Sequence, residues 1–353
     1  MKKILFLLPN LEAGGAERVV LNYTRILDPS KYEMTLIIVN DYGDLQTYIP
    51  DHVNLVNLNI IRTRQAYFKL IRTINSIQPE YIFSSTDRTN VLLLMAKAFL
   101  LGKPKIIIRE PNTPSAQFGE NYLNSTYFKL MKFFYPKTDI LVAQTEAMKM
   151  ELLKTFSIPK HKIQVIPNPI DKKFIDDQKE RIIESFDHSK INIVASGRLH
   201  RQKGFDFLIK AFTEVVRKND DFRLYIIGKK DVKDNCTAEL ETLIVKLKLS
   251  NHVKLLGFQS NPYPFYKNAD LFVLSSRWEG LPNVVLENLY IGTPVVATRC
   301  VPVLSELIVD GKNGNLCDFG NIDELAEAVL NYKNYTEKYP VNSSDEQILK
   351  LFE

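Results

Sequence analysis

Cysteine and histidine are scarce in this sequence, and neither forms a pattern that indicates a metal centre. Cys236, Cys300 and Cys317 are the three cysteines among 353 residues, and they lack the short spacing of metal ligands. The five histidines do not cluster. A small, odd number of cysteines is typical of a protein in a reducing compartment. We therefore expect a cytoplasmic protein without disulfides, metal ions or organic cofactors.

Long hydrophobic runs are also absent. No window approaches the roughly 20 apolar residues that a helix needs to cross a bilayer. The first apolar run, Ile4–Leu8, is too short for the hydrophobic region of a secretory signal, and Pro9 and Asn10 interrupt it. This run therefore predicts a buried first strand.

The sequence has no strong charge of either sign. Lys and Arg number 46 and Asp and Glu 41, so the formal net charge is 46 − 41 = +5. This mildly basic balance allows an anionic small molecule or an anionic membrane surface as a partner. It does not require nucleic acid, and we expect none to bind. The 45% of hydrophobic residues is normal for a globular chain with sizeable cores.

Short apolar runs alternate with amphipathic segments along the chain. Runs rich in Val, Ile and Leu suit strands that are buried on both faces, as in parallel sheets. In the N-terminal half they predict strands at residues 2–9, 34–40, 81–85, 105–110 and 139–144. After a Pro- and Lys-rich stretch, the pattern restarts with predicted strands at residues 191–199, 222–228, 253–258, 271–276, 293–300 and 313–319.

This alternation predicts an α/β fold with two Rossmann-like domains, each built on a doubly wound parallel sheet. We place the N-terminal domain at residues 1–171 and the C-terminal domain at residues 172–335. The remaining segment, 336–353, is expected to pack back near the N-terminal domain. Open α/β sheets bind ligands beyond the carboxyl ends of their strands, so we expect the two domains to face a shared cleft.

A basic loop with two glycines follows the first strand of the second domain. Arg198 can direct two donors at a phosphate, and Lys203 adds a positive charge. Gly197 and Gly204 permit tight turns of the backbone. His200 in the same loop is expected to face solvent. The alternative is an ordinary solvated basic loop, but the strand-end position favours a phosphate site.

The stretch EGLPNVVLE combines a loop, a helix start and two carboxylates. Pro282 suits the first turn of a helix and Gly292 the position after its end. Glu279 would then lie in the loop, and Glu287 about one turn into the helix. Backbone N–H groups at such a helix start can hold a phosphate. The residues that would form this seat are Gly280, Leu281, Pro282, Asn283, Val284 and Val285.

The two carboxylates would serve a different part of the same ligand. Carboxylates do not bind phosphate oxygens, but they accept hydrogen bonds from hydroxyl groups. With a diphosphate at the helix start beside Arg198 and Lys203, Glu279 would meet hydroxyls on one side and Glu287 on the other. A nucleotide sugar, which has a sugar at one end and a ribose at the other, satisfies all of these groups. The alternative is that Glu279 caps the helix and Glu287 is an ordinary helical acid.

Several ordered motifs resemble retaining glycosyltransferases of family 4, which have the GT-B fold. The motifs are SGRL…QKG at 196–204, EGLPNVVLE at 279–287 and GTPVVAT…VPVLSELIVDGKNGNLC at 292–317. The similarity covers nearly the whole chain and is strongest in the C-terminal domain. It implies that Glu279 contacts the donor sugar and Glu287 the ribose.

By the same resemblance, Arg198 and Lys203 bind the diphosphate. The N-terminal stretch LEAGGAERVV is similar to the first glycine loop of the family, in which Gly14 and Gly15 would bring backbone N–H groups to the diphosphate. A rival interpretation is a dinucleotide-binding loop with Asp41 on a ribose. The loop lacks the G-x-G-x-x-G pattern, which disfavours that rival.

The resemblance implies a retaining hexosyltransferase that moves a sugar from a nucleotide diphosphate donor, a UDP-sugar, to a glycan acceptor. The implied acceptor is lipid-linked and belongs to the synthesis of a bacterial surface polysaccharide or glycan. Metal-dependent transferases hold a cation with an Asp-x-Asp motif, and this chain has none. Arg198, Lys203 and the helix start are expected to stabilise the diphosphate instead. The alternatives are a nucleotide-sugar epimerase of the same fold, a non-catalytic sugar-nucleotide-binding protein and a nicotinamide-dependent dehydrogenase.

The chain departs from the family at one position. Many members carry a histidine near the donor sugar, after a late strand of the N-terminal domain. The comparable stretch of this chain, IIIREPNTPS, has Arg109 and Glu110 and no histidine. These two residues either take part in substrate binding or form a structural ion pair.

Two stretches of the N-terminal half combine cations and aromatic residues without acids. Residues 52–79 carry Arg62, Arg64, Lys69 and Arg72 around Tyr67 and Phe68, and residues 121–137 carry Lys129, Lys132 and Lys137 among six aromatics. Basic amphipathic helices with aromatic residues suit an anionic membrane surface, which predicts a peripheral protein on the inner face of the cell membrane. Alternatively, the aromatics are core residues and the cations simply face water.

Overall fold

The computed structural model describes residues 1–12, 14–41, 43–114, 125–231, 236–335, 337, 341 and 343–353, with residue 334 described by its backbone alone. The chain forms two compact units. The first comprises Met1–Ile170 and Ser343–Glu353, and the second comprises Asp171–Asn342. Each unit is an α/β domain built on its own sheet.

The first unit has a seven-stranded parallel sheet with the strand order β3-β2-β1-β4-β5-β6-β7. Its strands are β1 Lys2–Leu8, β2 Tyr32–Ile38, β3 Val53–Asn57, β4 Tyr81–Ser84, β5 Lys105–Arg109, β6 Ile140–Ala143 and β7 Ile163–Val165. The order reverses direction after β1, which places the carboxyl ends of β1 and β4 side by side. A doubly wound sheet of this type was predicted from the continuous apolar runs, and the prediction is confirmed.

Helices cover both faces of this sheet. They are α1 Gly15–Ile26, α2 Tyr67–Ile77, α3 Asp87–Ala96, α4 Thr126–Phe134 and α5 Glu146–Phe156. Successive residues of a strand point to opposite faces, so Leu5 and Leu7 of β1 belong to one core, whereas Phe6 and Leu8 belong to the other. Because both faces are buried, the strand is apolar at nearly every position.

The second unit has a six-stranded parallel sheet with the order β10-β9-β8-β11-β12-β13. Its strands are β8 Ile191–Ser196, β9 Phe222–Ile227, β10 Val253–Gly257, β11 Leu271–Leu274, β12 Val295–Thr298 and β13 Gly314–Cys317. Its helices are α6 Lys172–Gln178, α7 Phe205–Lys218, α8 Thr237–Lys246, α9 Tyr263–Asn268, α10 Asn283–Ile291, α11 Leu304–Leu307 and α12 Ile322–Leu330. The topological switch lies at β8, between β9 and β11, where an open α/β sheet binds its ligand.

The C-terminal residues return to the first unit. Helix α13, Asp345–Leu351, packs against α1. The ring of Phe352 is fully buried and lies 6.2 Å from the ring of Phe6 and 5.7 Å from that of Tyr81. The Lys2 ammonium donates to the carbonyl oxygen of Phe352 at 3.1 Å. Parts of the segment predicted at 336–353, namely residues 336, 338–340 and 342, lie outside the described residues.

Among the residues that the structure describes, no helix combines the length and the apolar content needed to cross a membrane.

Candidate active site

The candidate site of the second unit is assembled at the carboxyl ends of two neighbouring strands. β8 and β11 are hydrogen-bonded to each other in the sheet, with Leu271 opposite Ile193. The basic loop that follows β8 and the glutamate loop that follows β11 therefore begin side by side. Their residues are close in space, although more than 70 positions separate them in the sequence.

Glycine is required where these loops approach each other. Gly204 has φ +63°, and a Cβ atom there would lie 2.0 Å from the carbonyl oxygen of Ser275. Gly197 has φ +153°, and a Cβ atom there would lie 2.9 Å from the side chain of Lys203. A larger residue at Gly204 would push the two loops apart, whereas one at Gly197 would displace the Lys203 side chain within the same loop.

Glu279 is held by two donors on one of its carboxylate oxygens. The Lys203 ammonium lies 2.6 Å from Oε1, and the Ser276 hydroxyl donates to the same atom at 2.7 Å. The Glu279 side chain is 9% exposed. Both of these contacts fall on Oε1, and together they fix the rotamer of Glu279.

One serine hydroxyl and one threonine hydroxyl fix the backbone beneath this ion pair. The Ser275 hydroxyl donates to the carbonyl oxygen of Lys203 at 2.8 Å, and the Thr298 hydroxyl donates to the carbonyl oxygen of Ser276. Burial, together with the charge of Glu279, raises the pKa of the neighbouring Cys300 thiol to about 12. Cys300 is therefore a neutral thiol at physiological pH and adds no second negative charge.

Arg198 is separate from this ion pair. Its guanidinium lies 3.2 Å from the Asp231 carboxylate, and its side chain is 48% exposed. A guanidinium has five N–H donors, so this half-exposed contact leaves donors for an anion. His200, which was expected to face solvent, is half-buried because its Nδ1 accepts the N–H of Gln202 at 2.9 Å and caps the 3₁₀ turn Arg201–Lys203.

Pro282 was expected in the first turn of helix α10, but the helix begins at the next residue, Asn283. Pro282 is the N-cap, and the helix ends at Gly292 in the left-handed conformation with φ +94°. The N–H of Val285 donates to the carbonyl oxygen of Pro282 at 3.0 Å. The predicted contact of the Val285 N–H with a phosphate would therefore compete with this bond. Asn283 and Val284, the other two predicted donors, are half-buried.

The loop before the helix and the second glutamate are both buried. Gly280, Leu281 and Pro282 are buried directly before the helix start. Glu287 is only 5% exposed on α10. A solvated helical acid would be exposed, so that alternative does not hold for Glu287. A carboxylate at this depth requires polar partners.

The predicted glycine loop of the first unit has a different arrangement from the one expected. The N–H of Gly14 donates to the carbonyl oxygen of Glu12 at 2.7 Å, so it is not available to a ligand. The carboxylate of Glu17, which is 9% exposed, folds over Gly14, where an added Cβ would lie 2.2 Å from Oε2. Gly15 is the first residue of α1. Sequence reasoning did not identify Glu17, although an acid in the first helical turn is a recognisable signal.

Arg109 and Glu110 are buried at the end of β5, and they do not pair with each other within the described residues. Arg109 donates to Ser85 Oγ at 3.0 Å and to Asn168 Oδ1. Glu110 Oε2 accepts the Tyr135 hydroxyl at 2.8 Å. Neighbouring residues at a strand end point to opposite faces, which explains the separate partners. The ion-pair alternative is wrong.

The pKa values of these groups reflect their complete burial. Burial raises the pKa of Glu110 to about 8, and the charge of Asp87 adds to the shift. Burial also lowers the pKa of Arg109 to about 10, which keeps this residue positively charged at neutral pH. The Glu110 Oε1 atom is buried without a hydrogen-bond partner in the described part of the chain. A protonated carboxyl group fits this site better than a carboxylate.

Ser276, which contacts Glu279, was not singled out from the sequence. Ser276 and Glu279 have the Ser-x-x-Glu spacing of a capping box, which signals a contact between the two side chains. In the residues that the structure describes, no group of three or more His, Cys, Asp or Glu side chains is positioned to hold a metal ion.

The chain matches two protein families that together cover most of its length. Residues 13–174 match Glycosyltransferase Family 4, and residues 176–340 match Glycosyl transferases group 1. An uncharacterized glycosyltransferase of Methanocaldococcus jannaschii is 33% identical over 66% of this chain and 59% of its own length.

Among the curated relatives with named activities are two transferases whose names include a diphospho-undecaprenol-linked sugar. One is the N-acetylgalactosamine-N,N'-diacetylbacillosaminyl-diphospho-undecaprenol 4-alpha-N-acetylgalactosaminyltransferase of Campylobacter jejuni, which is 31% identical over 93% of this chain and 89% of that protein. The other is the UDP-Gal:alpha-D-GlcNAc-diphosphoundecaprenol alpha-1,3-galactosyltransferase of Escherichia coli, which is 24% identical over 90% of this chain and 84% of that protein.

A solved structure has the same fold. Anabaena HepE in complex with UDP-glucose superposes with a TM-score of 0.78 at 20% identity over 99% of both chains. The predicted fold class, two Rossmann-like domains of the GT-B type, is confirmed by this likeness and by the two parallel sheets. The family matches and the relative from Campylobacter jejuni establish that this chain belongs to the family 4 glycosyltransferases.

Proposed function

We propose that this glycosyltransferase moves a hexose from a UDP-sugar to a lipid-linked glycan, with retention at the anomeric carbon and without a metal ion. The observation that carries the proposal is the buried carboxylate of Glu279, which Lys203 and Ser276 hold through Oε1 in the loop before α10. The names of the relatives from Campylobacter jejuni and Escherichia coli support a diphospho-undecaprenol-linked acceptor, and the latter supports a UDP-linked donor.

The donor would lie along the carboxyl ends of β8 and β11. Arg198 and the backbone at Asn283 and Val284 would hold the diphosphate, because a guanidinium and a helix start both favour phosphate oxygens. Glu279 Oε2 would accept a hydroxyl of the donor sugar, and Glu287 would accept the ribose hydroxyls. Since Lys203 is shared with Glu279, its charge would orient that carboxylate as well as attract the diphosphate.

In the reaction, the bond between the anomeric carbon and the diphosphate oxygen breaks as the acceptor hydroxyl oxygen bonds to that carbon. The hydroxyl proton leaves with the diphosphate or with solvent. Negative charge grows on the diphosphate while this happens, so fixed donors there lower the barrier. Removing one such donor reduces turnover by about 10²–10³-fold in comparable sites, which is the loss we assign to Arg198.

A direct assay tests the reaction. The purified chain is incubated with UDP-hexoses and a polyprenyl-diphosphate-linked glycan, and the product is examined by NMR for the anomeric configuration. We expect the configuration of the donor to be retained and turnover to survive exhaustive EDTA treatment. Inversion would refute the retaining mechanism, and loss of activity that Mn²⁺ or Mg²⁺ restores would refute metal independence.

Calorimetry with free UDP tests the assignment of the two glutamates, because UDP has the ribose and lacks the sugar. We expect Glu279→Gln to lower kcat while it retains UDP affinity, since its contact is with the reacting sugar. Glu287→Gln should weaken UDP binding, since its contact is with the ribose. The opposite pattern would mean that the two carboxylates serve the other ends of the donor.

An acceptor that is anchored by a lipid would be presented at a membrane surface. We therefore expect the protein to act as a peripheral protein on the cytoplasmic face of the membrane. The acid-free basic stretches of the first unit are the part of the sequence that supports this location.

A further inference from the structure

Three neighbouring helices of the first unit form one continuous outer surface. Helix α3 packs against α2 on one side and against α4 on the other. Their inner sides meet in a single core that includes Leu70, Leu93 and Met131. We name their outer sides, together with residues 62–66, 97–101 and 135–137, the basic apolar face.

Large apolar side chains are exposed on the basic apolar face. Phe68 is 76% exposed, Phe99 61%, Leu101 57% and Phe133 62%. The alternative that the aromatics of these stretches are all core residues therefore fails for Phe68 and Phe133. Apolar side chains at this density on one surface indicate a surface that becomes covered. Residues 121–124 of the second predicted stretch lie outside the described residues.

Hydrogen bonds hold these apolar side chains in their exposed positions. The Asn75 amide donates to the carbonyl oxygen of Phe99 at 3.1 Å, and its Oδ1 accepts the N–H of Leu101 at 2.9 Å. The ring of Tyr67 makes edge contacts with Phe68 at 5.3 Å and with Phe99 at 6.4 Å between centroids. The exposed residues are therefore fixed to α2 as a preformed unit.

Cations surround the apolar side chains and are not neutralised. Seven exposed cations share this property, Arg62, Arg64, Lys69, Arg72, Lys129, Lys132 and Lys137. In the described part of the chain, none of them lies within 4 Å of a carboxylate. The neighbouring helix α5 differs, since Lys149 there lies 3.6 Å from Glu146. Positive charge is thus concentrated on α2 and α4.

We propose that the basic apolar face docks on an anionic lipid bilayer. Phe68, Phe99 and Leu101 enter the headgroup region, and the cations beside them pair with lipid phosphates. Both features are needed for this assignment, because exposed apolar side chains alone suit many partners, whereas unneutralised cations around them match a negative, apolar interface. The inference deepens the proposed function by naming its membrane surface, and it can be tested without donor or acceptor.

The test measures sedimentation with phosphatidylcholine vesicles that contain or lack phosphatidylglycerol. We expect the protein to bind the anionic vesicles at low salt, to bind neutral vesicles weakly and to dissociate as salt rises. Lys69→Glu/Arg72→Glu should weaken binding to the anionic vesicles at least about 10-fold, since each cation near such a surface contributes about 1 kcal/mol. The control Lys218→Glu/Lys246→Glu changes the net charge equally on exposed helical positions of the second unit and should bind normally.

Three results would overturn the proposal: no binding to anionic vesicles, equal binding to neutral and anionic vesicles at low salt, or normal binding by the α2 variant. Arg62→Glu/Arg64→Glu, before α2 begins, replaces that variant if it fails to fold. Affinity for UDP separates the two ideas. A variant that no longer binds vesicles but keeps its UDP affinity has an intact donor site. If the protein binds anionic vesicles but shows no turnover, the docking proposal holds and the proposed function fails.

Discussion

The two oxygens of the Glu279 carboxylate have different surroundings. Oε1 receives the Lys203 ammonium and the Ser276 hydroxyl, whereas Oε2 receives neither. Two donors on one oxygen fix the orientation of the group more tightly than one donor does. Ser276 is therefore a positioning residue that acts through Glu279, and it is fully buried.

Ser276→Ala tests this positioning role. We expect kcat to fall about 10-fold with UDP affinity unchanged, because a hydrogen bond to a charged group contributes about 1.5–3 kcal/mol and about 1.4 kcal/mol is a factor of ten. The control is Thr293→Val, which removes another buried hydroxyl that donates at 2.7 Å to the carbonyl oxygen of Tyr266. If Ser276→Ala weakened UDP binding and kept kcat, Ser276 would merely support the loop.

Glu110 makes the stability of the first unit depend on pH. Its pKa is raised from 4.5 to about 8 by burial, and next by the charge of Asp87. The folded state therefore binds a proton between these pH values that the unfolded state has lost. The contribution of Glu110 to the free energy of unfolding is fully present below pH 4.5 and is lost as the pH rises to about 8.

Glu110→Gln should remove this dependence, because an amide mimics the protonated acid and does not titrate. We expect the urea midpoint of the variant to change less than that of the wild type between pH 5 and pH 8, as measured by circular dichroism. Glu146→Gln, at an exposed helical position, is the control and should retain the dependence of the wild type. Equal slopes for the wild type and Glu110→Gln would show that Glu110 is ionised in the folded protein.

At the scale of the elements, Gly204 connects the basic loop to helix α7. The backbone of the glutamate loop approaches most closely at this residue. An alanine there must adopt φ +63° and place Cβ 2.0 Å from the carbonyl oxygen of Ser275. Gly311 is a matched control, because it has φ +76° with open space around the position of Cβ. Alanine in the left-handed region is unfavourable by about 1–2 kcal/mol at either position.

We therefore expect Gly204→Ala to destabilise the second unit more than Gly311→Ala does, by a further 1–3 kcal/mol or so from the steric overlap. Trp278 is the single tryptophan of the chain and lies in this unit, so its fluorescence reports the unfolding. Equal midpoints for the two variants would mean that the loops separate without loss of stability.

Helices and strands could be predicted from the sequence where a long apolar pattern determines the type of secondary structure. The amphipathic stretch 205–218 predicts the helix that the structure has at Phe205–Lys218. The strand predicted to end at Ser276 ends at Leu274. The difference arises because Ser275 and Ser276 form loop contacts with Lys203 and Glu279 instead of continuing the ladder.

The ion pair between Lys203 and Glu279 was not predicted, although both residues were expected at neighbouring strand ends, and the structure makes β8 and β11 neighbours. The sequence analysis assigned Lys203 to the diphosphate. Local patterns do not state which of several nearby groups a flexible lysine contacts. The sequence also did not show that the backbone engages the N–H groups of Gly14 and Val285, with the carbonyl oxygens of Glu12 and Pro282 as acceptors.

At the scale of the molecule, the chain leaves the first unit at residue 170 and returns to it at residue 343. The returning segment ends in Phe352, whose ring is fully buried between the rings of Phe6, Tyr81 and Phe83. Its packing closes the core on the face of the sheet that α1 covers. The stability of the first unit therefore depends on residues that follow the whole second unit in the sequence.

Phe352→Ala tests this dependence within the intact chain. We expect the first unit to lose about 3–5 kcal/mol of stability, because the substitution leaves a cavity among aromatic rings. Circular dichroism should show an earlier transition, while the Trp278 fluorescence, which reports the second unit, should move less. Phe319→Ala is the control, since that ring is 42% exposed and belongs to the second unit. If the unfolding transition of the first unit is unchanged in Phe352→Ala, the returning segment covers the sheet without contributing to its stability.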